Sequence, residues 1–359
     1  MLKSKEVLKQ NTRNSALDIF RAIAIISVVL YHFNDLLPYG FLGVDLFFVI
    51  SGLLVSGVLI KQLNENRPIN YFRFILQRGL KIWPSYYNLF IIGGLIVWIL
   101  YHNLAPDQII PFWDLKRYLL FYQNFVAGSF HWSFDHIWSL CVEEHFYILL
   151  PILFIVIQKF FNNRSMLFIS VTGVIIAGII FKPMGLFLTR SHDTETMTQY
   201  RIDALGWGVL LNLLITYYPE KIKQYSKWFL VSGILLLVTV LFIVVNIHSE
   251  IFYKIIFHSV VPIAFFLSIA GAYYYDFSKL VFLRIIAYYS YNLYLWHPIF
   301  VKFITAKIGN NVLGFFVYLA CSSICAFLFT VLIEEKVLSK RDAIIQSILG
   351  KKFKMATVK

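Results

Sequence analysis

The amino-acid sequence predicts an all-α polytopic membrane protein with about ten transmembrane helices. Hydrophobic residues make up 59% of the 359 residues and charged residues only 14%, whereas soluble domains contain about 25% charged residues. Apolar runs of about 20 residues recur along the whole chain, and each can cross a hydrocarbon core about 30 Å thick. The predicted spans cover residues 17–35, 41–60, 83–101, 136–158, 166–181, 202–217, 228–247, 255–275, 285–303 and 312–333.

The distribution of basic residues predicts that both termini lie in the cytoplasm. The chain contains 32 Lys and Arg residues and has a formal net charge of +13. Most of these residues fall in the two tails and in the loops on the same side of the predicted bundle, and cytoplasmic loops carry such an excess. Lys182 is one of the few basic residues assigned to an outer loop. The positive charge therefore indicates contact with lipid headgroups rather than with nucleic acid.

The charge and hydropathy patterns divide the chain into three parts. We expect a cytoplasmic tail at residues 1–16, a transmembrane domain at 17–335 and a basic cytoplasmic tail at 336–359. The first tail is polar, so no cleavable signal peptide is expected. The last tail contains LSKRDAIIQSILGKKFKM, which has the pattern of a basic amphipathic helix on the inner membrane surface. The three cysteines fall in predicted spans and show neither a disulfide framework nor a zinc-ligand spacing.

The first span, LDIFRAIAIISVVLYHF, carries Asp18, Arg21 and His32. The spacing of Arg21 and His32 places them on one face of an α-helix, about 16 Å apart along its axis. Ionisable groups inside a span cost at least ~2.5 kcal/mol on insertion scales, so we expect this face to meet a cavity or polar partners. The alternative is that Arg21 snorkels to the inner surface and His32 lies among the outer headgroups.

The second and fourth spans carry further polar groups near their outer ends. Asp45 lies near the outer end of the second span, where it can cap the helix or orient a histidine of a neighbouring helix. Gly52 is expected to permit close helix packing. In HIWSLCVEEHFYILLP, the residues His136, Ser139 and Glu143 lie along one stripe of the fourth span. The alternatives for these glutamate and histidine side chains are a structural ion pair and a metal site.

A basic segment, YFRFILQRGLKIWPSYY, is predicted to be a cytoplasmic loop that leads into the third span. It contains Arg73, Arg78 and Lys81, whose charged groups can hold the phosphates of a soluble cofactor. The alternative is simple anchoring of the loop on the cytoplasmic side. Elsewhere, His297 lies toward the outside of the ninth span, and Glu334 is expected at the inner boundary of the last span.

In their order along the chain, these segments resemble acyltransferase family 3, the bacterial membrane acyltransferases that O-acylate cell-surface glycans. Each segment alone is a weak signal, but together they extend over nearly the whole chain. The segments that carry the resemblance are LDIFRAIAIISVVLYHF, GVDLFFVISGLL, QRGLKIWPSYY, HIWSLCVEEHFYILLP, YRIDALGWG, YSYNLYLWHP and LIEEK.

The resemblance implies an enzyme of the bacterial cytoplasmic (inner) membrane that moves an acyl group, usually acetyl, from cytosolic acyl-CoA to a hydroxyl of a surface glycan or glycolipid. The implied partners are acetyl-CoA, a carbohydrate acceptor and the lipid bilayer, without nucleic acid and without a metal. Some family members carry a C-terminal esterase-like domain. We expect none here, because the sequence ends soon after the last predicted span.

The resemblance also implies roles for particular residues. Arg21 and His32 match the functional Arg and His of the family's first span, and Arg78 matches the first arginine of the basic pair before the third span. The family usually shows Arg-Arg-x-x-Arg there, whereas this chain has Gln77, Arg78 and Lys81. Lys81 stands at the last arginine of this pattern, where it keeps the positive charge but loses the bidentate geometry toward phosphate.

From these residues we expect an acyl-transfer path. Arg73, Arg78 and Lys81 would hold the CoA phosphates, and Arg21 would guide the cofactor or polarise the thioester carbonyl. His32 would be the general base for the acceptor hydroxyl or a transient acyl carrier. Asp45 or Glu143 would fix the tautomer of this histidine. The expected acceptor contacts are His136, Trp138, Ser139 and His297, with Trp113, His131 and Trp132 of the outer loop 102–135 as further candidates for choosing a sugar.

Two other classes of function remain open at this point. The same polar stripe can line the translocation path of a glycan exporter or transporter, because a fold alone does not fix a function. A scaffold subunit of a glycan-synthesis complex is a third possibility, which the presence of Arg21 and His32 disfavours.

Overall fold

The computed structural model of the protein describes residues 14–101, 115–126, 133–161, 163–187 and 195–350. Within these ranges the chain is helical and contains no β-strand. The α-helices are α1 (Ser15–His32), α2 (Gly43–Asn64), α3 (Tyr71–Asn88), α4 (Gly94–Tyr101), α5 (Leu115–Leu119), α6 (Trp138–Phe160), α7 (Arg164–Phe187), α8 (Ile202–Tyr217), α9 (Pro219–Gln224), α10 (Ser226–Asn246), α11 (His258–Ala272), α12 (Val281–Lys307), α13 (Val312–Phe329) and α14 (Glu335–Leu349).

The predicted spans are all helical. Among the described residues, eight helical segments are long and apolar enough to cross a membrane by their length and composition. Of the two remaining predicted spans, one is the shorter apolar helix α8 and the other lies in α12, a helix of 27 residues. The predicted fold class, an all-α polytopic membrane protein, is therefore confirmed. The cytoplasmic location of both termini stays a prediction.

The prediction of a loop before the third span is wrong. The basic segment forms α3, and its first turn is capped by Asn70, whose side-chain oxygen accepts the backbone N–H of Arg73 at 2.9 Å. Such a cap satisfies one of the otherwise unpaired donors of a helix start. A π-helical turn, Leu89–Gly93, then joins α3 to α4. The charged side chains of this segment therefore have fixed positions on a helix.

Lys182 was assigned to an outer loop, and this assignment is also wrong. Helix α7 continues beyond the predicted span to Phe187, so that Lys182 lies inside the helix with 0% of its surface exposed. The last predicted span likewise continues through a π-helical turn, Thr330–Glu334, into α14. The expected sugar-contacting residues Trp113, His131 and Trp132 and the chain ends 1–13 and 351–359 lie outside the described residues.

The chain forms two compact units. The first comprises residues 1–68, 120–130 and 137–290, and the second comprises residues 69–119, 131–136 and 291–359. In the first unit α2 packs against α8 through two glycines. A Cβ atom at Gly52 would lie 2.0 Å from the carbonyl oxygen of Leu205, and one at Gly208 would lie 2.0 Å from that of Val49. The predicted packing role of Gly52 is therefore confirmed.

Candidate active site

His32 is the last residue of α1 and is half-buried. Its Nδ1 atom lies 2.9 Å from the carbonyl oxygen of Val28. Because a carbonyl only accepts hydrogen bonds, Nδ1 must carry the ring hydrogen, and Nε2 then holds the lone pair of the neutral imidazole. The partial negative charge at the end of α1 stabilises a positive charge that forms on the ring during a reaction. This histidine is thus arranged to take a proton, or to attack a carbonyl, through Nε2.

The opposite end of α1 carries Arg21 and is held in place by polar contacts. Asn14 accepts the backbone N–H of Leu17 at 3.1 Å and donates to the carbonyl oxygen of Tyr273 at 3.0 Å. Asp18, which is 1% exposed, accepts a hydrogen bond from Nε of Arg284 at 3.3 Å. The ion pair of Asp18 and Arg284 therefore fixes the first turn of the helix on which Arg21 and His32 both lie.

Asp45 lies in the first turn of α2, and its carboxylate forms an ion pair with Arg201. Both residues are almost fully buried. The guanidinium of Arg201 also lies 5.7 Å from the ring centroids of Phe48 and Trp138. Through these contacts Asp45 acts as the counter-ion of Arg201, and its Oδ2 has no hydrogen-bond partner among the described residues.

The same arginine defines which ring nitrogen of the buried His258 carries the hydrogen. Nη1 of Arg201 donates to Nδ1 of His258 at 2.8 Å. Arginine has no acceptor atom, so His258 carries its hydrogen on Nε2. Lys182 forms an ion pair with Asp203 and donates to the carbonyl oxygen of His258 at 3.3 Å. Two acids, two bases and one neutral histidine thus form a buried network with no net charge in the first unit.

Glu143 takes part in a chain of hydrogen bonds between α2 and α6. The hydroxyl of Tyr147 donates to Oε2 of Glu143 at 2.9 Å. The Ser51 hydroxyl lies 2.6 Å from that of Tyr147, and because Tyr147 has already given its only hydrogen to Glu143, Ser51 must be the donor. Trp138 and Ser139 lie on the first turn of the same helix α6. The Tyr147 hydroxyl thus connects Ser51 of α2 to Glu143 of α6.

The second unit contains the residues expected to bind the donor. Arg73, Arg78 and Lys81 all lie on α3, and the last two are three residues apart and therefore neighbours on one face. The guanidinium of Arg78 lies 5.9 Å from the centroid of the Phe74 ring. Lys81 forms an ion pair with Glu334, which is 5% exposed and thus buried rather than at the surface of the bundle.

The structure brings together two of the residues expected to contact the acceptor. The ring centroids of His136 and His297 lie 5.5 Å apart, and both rings contact Tyr294. Nε2 of His136 lies 3.2 Å from the carbonyl oxygen of Leu295, whereas Nδ1 of His297 lies 2.8 Å from that of Tyr294. These carbonyls place the ring hydrogens on those two nitrogens, so that each histidine keeps one basic nitrogen.

Several residues of these clusters, among them His258 and Lys182, are not among the sequence-based candidates. Nothing in the sequence marks His258, since a single polar residue in an apolar span has no visible partner. Lys182 carries a weak signal, because a lysine in IIFKPMG stands directly after a long apolar run. No group of three or more metal-ligating side chains is found among the described residues.

Comparison with known proteins places the chain in a family. The family model of the acyltransferase domain matches residues 14–335. The O-acetyltransferase OatA of Staphylococcus aureus strain NCTC 8325 is 28% identical over 327 residues, covering 84% of this chain and 53% of the relative. A putative O-acetyltransferase of Staphylococcus aureus strain COL is 26% identical over 332 residues, with the same coverage of the two chains.

The chain spans about half the length of these curated relatives. No solved structure matches it. The family match covers α1 to the start of α14. It therefore includes α1, which carries Arg21 and His32, and α3, which carries Arg78 and the basic residues around it. The resemblance in the sequence is thereby confirmed, and the chain belongs to acyltransferase family 3 as a multi-pass membrane protein.

Proposed function

We propose that this protein is an O-acetyltransferase of the bacterial cytoplasmic membrane, which moves an acetyl group from acetyl-CoA to a hydroxyl of a cell-surface glycan or glycolipid. The observation that carries the proposal is the arrangement of His32, whose Nδ1–H is held by the Val28 carbonyl and whose Nε2 is left with the lone pair. Two relatives that carry the name O-acetyltransferase, one of them as putative, support the type of reaction.

The proposed chemistry runs through Nε2 of His32. As a general base, Nε2 takes the proton of the acceptor hydroxyl while the hydroxyl oxygen forms a bond to the acetyl carbonyl carbon. The thioester C–S bond breaks, and CoA leaves as a thiolate that receives the proton. In the alternative, Nε2 itself attacks the acetyl carbon and passes the group on. In both cases the Val28 carbonyl and the end of α1 stabilise the imidazolium that forms.

The remaining residues have supporting roles in this proposal. Arg21 guides the cofactor along the same helix face, because it lies about 16 Å from His32 along the helix axis and does not reach a carbonyl that reacts at Nε2. Glu143, the acceptor of the Tyr147 hydroxyl, supplies negative charge within the first unit. Asp45 acts through Arg201. Its carboxylate balances the charge of the guanidinium, which lies against the Trp138 ring.

The donor is proposed to bind α3 through its phosphates. Replacing Arg78 with glutamine removes a guanidinium that can bind phosphate through two parallel hydrogen bonds. We expect KM for acetyl-CoA to rise about tenfold or more, since one charge-assisted hydrogen bond contributes about 1.5–3 kcal/mol. Acetyl transfer by membranes at varied acetyl-CoA checks this. The matched control is Arg67→Gln, because Arg67 is 53% exposed. An unchanged KM in Arg78→Gln contradicts the role.

The acceptor is proposed to bind at the His136 and His297 pair. His136→Gln keeps a donor for the Leu295 carbonyl, and His297→Asn keeps one for the Tyr294 carbonyl, while each removes the basic nitrogen. We expect KM for the glycan acceptor to rise about tenfold in each variant and KM for acetyl-CoA to stay unchanged. Transfer rates at varied acceptor check this. Equal rises of both KM values would argue against an acceptor site here.

A further inference from the structure

Lys81 occupies the position where the sequence predicts a phosphate ligand, yet a carboxylate already holds its ammonium. Lys81 forms an ion pair with Oε1 of Glu334. The other carboxylate oxygen, Oε2, accepts a hydrogen bond from Nδ2 of Asn292 at 2.8 Å. Each oxygen of this carboxylate therefore has one donor, and Lys81 supplies the positive charge.

The two partners differ in their exposure to solvent. The Lys81 side chain is 41% exposed, whereas that of Glu334 is only 6% exposed. Removing the lysine would leave a buried carboxylate without a counter-ion, which is strongly destabilising. Removing the glutamate would leave a lysine that can reach water, which costs little. The ion pair therefore stabilises the buried carboxylate of Glu334 more than it stabilises the exposed ammonium of Lys81.

The carboxylate is held by residues from several elements of the second unit. Glu334 ends the π-helical turn Thr330–Glu334, a wide turn of a type that is frequent at functional sites. Nδ2 of Asn292 on α12 also contacts the Thr330 hydroxyl at 2.9 Å. The hydroxyl of Tyr291 donates to the carbonyl oxygen of Ile82 at 2.8 Å. Lys81 completes these contacts, because its ammonium connects α3 to the Glu334 carboxylate that the Asn292 amide also contacts.

We propose that Lys81 is the counter-ion that keeps Glu334 buried and is not a ligand of the CoA phosphates, which Arg78 contacts. The inference rests on the proposed function for its second half only. A lysine suits the first role because a compact ammonium pairs well with a single carboxylate oxygen, whereas arginine suits bidentate contact with phosphate. The presence of Lys81 in place of the last arginine of the family pattern then has a physical reason.

A double-mutant cycle on the purified full-length protein tests the counter-ion role. The variants are Lys81→Met, Glu334→Gln and the double variant, and the readout is Tm in detergent. We expect Lys81→Met to lower Tm by about 5–10 °C, and the double variant to return close to Glu334→Gln, because glutamine needs no counter-ion. Lys340→Met, which removes an exposed lysine of α14, is the matched control and should leave Tm unchanged. Additive losses of Tm in the cycle would overturn this role.

Binding of CoA to the same variants tests the phosphate assignment. We expect Kd for CoA to stay within about threefold in Lys81→Met and in the double variant, and to rise about tenfold or more in Arg78→Gln. A tenfold rise in both variants that lack Lys81 would overturn the proposal. If the wild type binds no CoA, the proposed function fails, and so does the assignment of Arg78 to the CoA phosphates. The double-mutant cycle in Tm still decides whether Lys81 is the counter-ion of Glu334. The two failures are therefore distinguishable.

Discussion

Replacing His32 with asparagine is expected to lower the rate of acetyl transfer by about 10²–10⁴-fold, the usual contribution of a general acid–base group. Asparagine keeps an N–H group where Nδ1 lies, so the hydrogen bond to the Val28 carbonyl is retained. It lacks the atom that corresponds to Nε2. The substitution thus removes the reacting nitrogen and disturbs the end of α1 little.

The measurement is acetyl transfer by membranes that contain equal amounts of the wild type, His32→Asn and His32→Ala. Both variants should be inactive to the same degree, because both lack Nε2. His248→Ala is the matched control, since His248 lies exposed outside the helices and should transfer acetyl at the wild-type rate. A rate for His32→Asn within tenfold of the wild type would show that Nε2 does not react.

Replacing Arg201 with methionine is expected to destabilise the first unit by about 3–5 kcal/mol. The reason is that Asp45, which is 1% exposed, would remain buried without its counter-ion. The contacts of the guanidinium with the Phe48 and Trp138 rings would be lost as well. We expect a clear drop of Tm in detergent, while Lys227→Met, at an exposed position of α10, should leave Tm unchanged.

A second substitution at Asp45 separates charge pairing from catalysis. In Arg201→Met/Asp45→Asn the unpaired carboxylate is absent, so we expect Tm to recover most of the loss. If Asp45 instead worked on His32, then Asp45→Asn alone would lower kcat at unchanged Tm. That pattern, together with no recovery in the double variant, would contradict the role of Asp45 as the counter-ion of Arg201.

The helical spans and the polar face of α1 could be predicted from the sequence because both depend on local patterns. Apolar runs of sufficient length predict spans, and the spacing of Arg21 and His32 predicts a shared helix face. The helix α3 was missed for a related reason. Its basic residues matched the pattern of a cytoplasmic loop, although Asn70 supplies a local cap.

The pairing of buried charges could not be predicted, because it depends on contacts between distant parts of the chain. Asp45 meets Arg201 across 156 positions, and Lys81 meets Glu334 across 253 positions. One sequence shows which charges lie inside spans, and the high energy of burying a single charge shows that each needs a partner. It does not show which partner, and it therefore leaves Asp45 or Glu143 as the partner of His32, and phosphate binding or simple anchoring as the role of Lys81.

Transfer of labelled acetyl from acetyl-CoA to surface glycan by the purified protein in proteoliposomes distinguishes an acetyltransferase from an exporter. We expect label to accumulate on glycan hydroxyls with the wild type and not with His32→Asn. A glycan that crosses the bilayer unmodified, at equal rates with both proteins and without acetyl-CoA, would rule out the proposed acetyl transfer and identify an exporter instead.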